Sequence, residues 1–367
     1  MDVREQFVLR AKRAKESFVA LCREFQISRK TGYKWLARYE SDGVEGLRDR
    51  SRRPRLSARV SGEAVLRVLE LHALHGWGPK KLHRLLVREK VADVPSVRTV
   101  ARILRRSGIA ARKRRRVFEV SAAETRAPSV VAAGPNDVWT LDFKGWWLAG
   151  NGERCEPLTV RDAFSRYVLC AEMVESHATE TIRRAFERIF REFGLPKALQ
   201  FDNGEPFAAR QARAGLTRLS AWWVSLGIQL VRSRPGKPQD NGGHERMHAD
   251  LKAEVQVRPA QSRRAQQRAV SAWRKKFNEL RPHESLAMKT PAERYRRSER
   301  PYRPPIPPTY STAWLTRRVS AKGFVRVEGA QLFIGEGLVG HQIGLEPVVE
   351  GLRAWFYNVE LGIVRAA

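Results

Sequence analysis

From about Asn136 the hydrophobic pattern of this chain switches repeatedly between two periods, and that switching limits the fold more than any single motif. "DVWTLDFKG" alternates, putting Val138, Thr140 and Asp142 on one face and Trp139, Leu141 and Phe143 on the other. "RYVLCAEMV" (Arg166 to Val174) predicts the next clear strand. "ETIRRAFERIFREFG" then places Ile182, Phe186, Ile189, Phe190 and Phe193 on one helical stripe and closes at Gly194. "KALQFDNG" reads as a short strand ending at Asp202, and "GIQLVRSRP" as a strand running into a Pro-Gly-Lys-Pro loop. Strand, strand, helix, strand, helix, strand, helix is the order of a layered α/β domain.

Ahead of this domain the pattern is helical and basic. Residues 1 to 116 hold 31 Lys and Arg against 12 Asp and Glu, most of the +30 net charge of the 367-residue chain. So large a surplus points to nucleic acid, because each phosphate neutralised releases counterions. "ESFVALCREFQISRKTGYKWLARYE" (Glu16 to Glu40) reads as helix, short turn, helix, with Ser28 as N-cap. In such a pattern Arg29, Lys30, Thr31 and Lys34 open the helix that meets a major groove. A plain helical hairpin with a solvated face is the competing reading. A second helical unit follows the linker "RDRSRRPRLSARV", with Leu66, Leu69, Leu74, Leu82, Leu85, Val100, Ile103 and Leu104 as its expected core. Ser96 opens its last helix, which carries Arg98 and Arg102, and the run Arg112, Lys113, Arg114, Arg115, Arg116 closes it as a basic tether touching phosphate.

Beyond the α/β domain, "RRSERPYRPPIPPTY" (Arg296 to Tyr310) is an extended linker. Short strands separated by Gly-containing turns follow, and they predict a small β-barrel. The expected domains are therefore a homeodomain-like helix-turn-helix (1–50), a second such unit with its basic linker (51–120), the α/β core (130–296), the Pro-rich linker (297–311) and the barrel (312–367). Three unpaired cysteines, Cys22, Cys155 and Cys170, argue against a disulfide framework or a structural zinc site. With no apolar run near membrane-spanning length and no signal-peptide pattern, the chain reads as soluble and cytosolic, with no membrane partner.

The tripeptide Asp-Asn-Gly occurs twice, and its ordinary meaning is a tight turn. Asp142 and Asp202, however, lie in apolar strands, where an ionised carboxylate is costly unless exposed at a strand end, paired or bound to metal. Asp202 ends its strand, where α/β sheets place their sites. The second Asp-Asn-Gly leads into "NGGHERMHADLKAEV", a helix with Asp240 or Asn241 as cap and with Glu245, His248 and Lys252 on one face. Singly, each acid reads as a surface or capping carboxylate. Together, three carboxylates from two strands and a helix suit two Mg²⁺ ions about 4 Å apart, which prefer hard oxygen ligands and take others from phosphate.

"WTLDFKG", "QFDNGEPF" and "NGGHERMHADLK" resemble the three catalytic boxes of the DDE transposases of the bacterial insertion-sequence kind, which have a retroviral-integrase-type core. "FNELRPHESLAMKTPAERY" (Phe277 to Tyr295) is similar to the segment that closes that core, and "EGLRDRSRRP" and "WGPKKLHRLL" to the helix-turn-helix arms. The resemblance implies a ribonuclease H-like core, a mixed sheet with helices on both faces. It implies Asp142, Asp202 and Glu245 as the catalytic, metal-binding triad, with Mg²⁺ or Mn²⁺ as cofactor. His248 and Lys252 would orient or contact DNA. The partners implied are double-stranded transposon ends and target DNA, bound by a homo-oligomer at the bacterial nucleoid. Asp202 and Glu245 are 43 positions apart, more than is usual in the family, and the surplus falls in "ARQARAGLTRLSAWW" (Ala209 to Trp223). The competing readings are a catalytically silent protein at transposon ends, whose mark would be a missing acid, and a ribonuclease H-type nuclease, which has little need of two DNA-binding arms.

Overall fold

The computed structural model describes residues 2–13, 15–49, 60–109, 131–202, 204, 206–209, 212–233 and 241–364. The basic run Arg112 to Arg116, most of the linker before Val60, and Asn203, Asp240 and the Pro-Gly-Lys-Pro loop lie outside the described residues. Two compact units are present, Met1–Gly62 and Glu63–Ala367.

The first unit is three helices, α1 (Val3–Lys12), α2 (Phe18–Glu24) and α3 (Arg29–Asp42). Only α2 and α3 are legible as the expected pair; α1 supplies Phe7, whose ring meets Phe18, Phe25 and Trp35 edge-on at 5.4–5.9 Å. Gly32 is where the helices come closest, since a Cβ there would lie 2.8 Å from the Phe7 ring. Ser28 caps α3 as expected, accepting from the Thr31 amide at 3.2 Å. Arg29, Lys30 and Lys34 are exposed, while Thr31 is half-buried beside the cap.

The second unit opens with α4 (Gly62–His75), α5 (Pro79–Arg88) and α6 (Val97–Arg106). Leu82, Leu85, Val100, Ile103 and Leu104 are buried as expected, but Leu66 and Leu74 are exposed. The buried stripe of α4 is Ala64, Val68 and Leu71, a helical phase that leaves those two leucines outside. These helices dock on the α/β core. Lys80 pairs with Glu284 at 2.6 Å, Arg88 donates to the Glu279 carbonyl at 3.0 Å, and Trp77 lies against the cations of Lys81, Lys276 and Arg281.

The core sheet is built from β1 (Val138–Phe143), β4 (Pro157–Asp162), β5 (Val168–Met173), β6 (Ala198–Phe201) and β7 (Gln229–Arg232), with the small hairpin β2 (Trp147–Leu148) and β3 (Arg154–Cys155) beside it. Strand order is β5-β4-β1-β6-β7; β4 runs antiparallel to β1 and β5, and β6 runs parallel to β1 and β7. One face packs on α7 (Thr179–Phe193) and α8 (Arg218–Ser225) through Trp139, Leu141, Leu158, Val160, Leu199 and Phe201. The other face meets α9 (Gly242–Leu251), which continues as a π-turn over Lys252–Gln256, and α10 (Arg263–Glu279). Period-two alternation in β1 thus decides that Thr140 and Asp142 look toward α9 rather than toward α7.

The Pro-rich segment is strapped down at its start: Arg300 donates to the carbonyls of Pro196, Leu226 and Gly227, and Tyr302 packs against Phe190 and Trp222. Beyond it, β8 (Leu315–Arg318), β11 (Gln342–Val348), β12 (Gly351–Phe356) and β13 (Val359–Val364) form a four-stranded antiparallel sheet, and β9 (Phe324–Val327) pairs with β10 (Ala330–Phe333). Among the described residues the two ladders do not join into one closed barrel. They share a core, and Leu216, Ala221 and Val224 of the segment leading into and forming α8 belong to it.

Candidate active site

Asp142 is the last residue but one of β1 and stands opposite Thr159 of β4. Its side chain is 32% exposed. Burial pushes its carboxyl up to about 6, and the charges of Asp202 and Glu245 add to the rise, against a hydrogen bond from the Phe143 amide. Asp142, 60 positions before Asp202 and 103 before Glu245 in sequence, is therefore within electrostatic reach of both. Asp202 follows β6 directly and is exposed, its Oδ1 accepting from the Gly204 amide at 3.1 Å. The strand thus delivers the acid, while Asn203 lies outside the described residues. Glu245 is exposed on the first turn of α9.

Among the described residues, no three His, Cys, Asp or Glu side chains are close enough to hold one ion. The acids instead form an open, all-oxygen set of like charge. Such a set fits Mg²⁺, which keeps several waters and takes other ligands from phosphate, and a divalent cation would relieve the repulsion that raises Asp142.

What fixes α9 against the sheet is a buried polar cluster that sequence reasoning missed. The Thr159 hydroxyl donates to the Asp142 carbonyl at 2.8 Å. Its oxygen is then left to accept, so the Nε2 atoms of His244 at 2.7 Å and His248 at 2.8 Å must both carry protons. His244 Nδ1 is thereby bare and accepts from the Thr140 hydroxyl at 2.8 Å. Burial pushes both imidazoles down, His248 to about 3, helped by Lys144 and Arg161, and His244 well below the usual imidazole range, helped by His248 and Arg161. A neutral His248 with a bare Nδ1 forms no ion pair with Asp142 Oδ2, although the two atoms are only 3.8 Å apart. His248 is 12% exposed and turned to Thr159, so it positions the helix; the expected DNA contact is not available to it. Of the two expected caps, Asn241 stands at the N-cap but makes no side-chain bond to α9, and Asp240 lies outside the described residues. Arg161, buried on β4, donates to the Gly243 carbonyl.

Lys252 is exposed, as a phosphate contact requires. Lys144, absent from the expected set, lies close enough to Lys252 and Asp142 to feel both: burial and Lys252 hold its pKa below the usual lysine range, while Asp142 raises it. Its signal in the sequence was available, since it sits two positions beyond Asp142. Arg98 and Arg102 are exposed on α6 within the second unit, and Arg29, Lys30 and Lys34 on α3 within the first.

Models described as integrase core domains match residues 132–238 and 226–291, and models described as a helix-turn-helix domain and a homeodomain-like domain match residues 3–55 and 31–104. A 31.7 kDa protein of insertion element IS407 from Burkholderia multivorans is 32% identical over 231 residues, 62% of this chain and 78% of that protein. A 39.2 kDa protein of insertion element IS476 from Xanthomonas euvesicatoria is 29% identical over 231 residues, 62% of this chain and 63% of that protein. The match thus spans a little under two thirds of this second relative. Among solved structures, the HTLV-2 integrase catalytic core domain in complex with magnesium is 16% identical, covers 45% of this chain and all of that one, and superposes with a TM-score of 0.36, too loosely to argue from.

Proposed function

The chain belongs to the bacterial insertion-element transposases with an integrase-type catalytic core, and on that premise we propose that it joins DNA ends by metal-assisted phosphoryl transfer at Asp142, Asp202 and Glu245. In this reading the exposed cations of the two helical units, Arg29, Lys30 and Lys34 with Arg98 and Arg102, grip the terminal repeats of the element. The core then nicks the strand with water and presents the freed 3′-hydroxyl to a target phosphodiester. The three acids would hold Mg²⁺, or Mn²⁺ in its place, and bound metal activates the attacking oxygen and stabilises the leaving one. Lys144 and Lys252 would neutralise the phosphate beside them. The Thr159 cluster keeps Glu245 on the Asp142 side of the sheet, so the work of this chain is positioning and charge stabilisation. The C-terminal strands would stand where the family's small barrel is expected, and the active species would be a homo-oligomer on paired ends and target DNA.

The observation that carries this reading is that Asp142, near the carboxyl end of β1, feels the charges of Asp202 just after β6 and of Glu245 on the first turn of α9. A catalytically silent DNA-binding protein would not need all three. The test is a purified Asp202→Asn protein assayed on duplexes carrying the inverted repeats that flank its gene. It should bind them as tightly as the unaltered chain and show no magnesium-dependent strand transfer; activity near that of the unaltered chain would sink the assignment.

A further inference from the structure

Trp146 follows Asp142 by four positions, after a turn at Gly145 with φ of +78°, and its indole is 57% exposed. The next residue, Trp147, is buried with Ala149 and Cys155, which anchors the hairpin β2–β3. The hairpin is no loose flap. The amides of Gly150 and Asn151 donate to the carbonyls of Ala260 and Gln261 at 2.9 Å, and the Arg263 amide donates to the Glu153 carboxylate at 2.9 Å. An indole held rigidly with most of its surface in water forgoes the burial that aromatic side chains ordinarily gain.

Among the described residues no aromatic ring stacks on Trp146, but a guanidinium does: Arg154 Cζ lies 5.2 Å from the ring centroid. Arg154 donates to Glu156 Oε2 at 2.7 Å, and His177 Nε2 lies 3.3 Å from the same oxygen. His177 in turn stacks on Phe143 at 4.0 Å, and Phe143 is the residue after Asp142. The result is a continuous ledge from Trp146 to the edge of the acidic site. Beside it opens a cavity of about 350 Å³ lined in part by Arg154, Glu156, Ser176, His177 and Arg263.

We infer that this ledge binds an unpaired nucleobase of the DNA strand being processed, stacked on Trp146 with its polar edge toward the cavity. Every base has a π-face, and an aromatic ring beside cations is the combination that holds single strands without regard to sequence. The cations at the ledge are Arg154 and Arg263, each already beside a carboxylate, Glu156 at 2.7 Å and the cavity-lining Glu175 at 3.2 Å, with Lys144 two positions before Trp146 in the chain. Inside a paired duplex both faces of each base are covered by its neighbours, so occupation away from a blunt terminus requires a base out of the stack. The inference rests on the proposed function only in taking DNA as the substrate.

The test uses the full chain and two duplexes of one sequence, one blunt and one with three unpaired terminal nucleotides, the latter carrying 5-iodouracil in the unpaired segment. Anisotropy should show the unaltered chain preferring the frayed duplex. Trp146→Ala should weaken frayed binding by about 5- to 150-fold, the range of one base–aromatic stack, and leave blunt binding unchanged. Trp146→Phe should keep most of the preference, and irradiation of the unaltered complex should crosslink the peptide containing Trp146. Equal affinity of Trp146→Ala and the unaltered chain for the frayed duplex, or crosslinks only to other peptides, would overturn the inference. A chain inactive in strand transfer but showing Trp146-dependent binding would count against the proposed function and for the ledge; an active chain indifferent to Trp146 would do the reverse.

Discussion

At the scale of single residues, Asp142 couples the site to pH. Its carboxyl titrates near 6 in the folded chain and near the ordinary 3.8 when unfolded. A raised carboxyl contributes stability at low pH, below the unfolded value, and that contribution is lost as pH rises through about 6. Asp142→Asn removes the charge without changing the shape. It should therefore raise the melting temperature of the metal-free protein at pH 7, leave it nearly unchanged at pH 4, and abolish strand transfer; thermal melts at the two pH values check the sign. The placement of Asp142 and Asp202 near strand ends and of Glu245 at a helix start was legible in sequence, because strand periodicity and helix entry each left a recognisable mark. Thr159, Thr140 and Arg161 were not legible, because their importance comes from a cross-strand register that pairs Asp142 with Thr159 and Thr140 with Arg161. Nothing within a local window encodes that pairing. His248 was noticed, but helical spacing alone could not tell an outward stripe from one rotated toward β4.

At the scale of elements, α9 shows how closely the third acid depends on backbone fit. Gly242 and Gly243 look equivalent in "NGGHER", yet a Cβ on Gly243 would lie 2.5 Å from the buried Arg161 guanidinium, whereas one on Gly242 meets nothing within 4 Å. Gly243→Ala should cost about 1–3 kcal/mol through overpacking and lower strand transfer, while Gly242→Ala should be neutral or stabilise by up to about 1 kcal/mol. Denaturant melts of the pair separate the two, and equal stabilities would refute the role given to Arg161. The order of β1, β5, α7, β6, α8, β7 and α9 was legible from periodicity, as were α2, α3 and the cap at Ser28. The central strand β4 was not, since all six of its residues are buried and leave no alternation, nor was the short hairpin β2–β3, since two-residue strands carry no period.

At the scale of the whole molecule, the surplus residues between Asp202 and Glu245 turn out to have a partner far along the chain. Leu216, Ala221 and Val224 are buried by the C-terminal strands, Arg213 donates to the carbonyls of Phe333 and Ile363, and a Cβ on Gly337 would lie 2.3 Å from the Leu216 carbonyl. Deleting residues 312–367 should therefore uncover an apolar face on the core, giving a truncated protein that melts lower and aggregates, as scanning calorimetry and light scattering would register; a truncated chain as stable as the full one would refute the shared core. Nothing in the segment's own sequence marks this distant attachment. Its consequence is one of inheritance: the insertion and the tail protect each other's apolar surface, so neither could be gained or exchanged alone without loss. Chimaeras between relatives should tolerate the two segments only as a matched set.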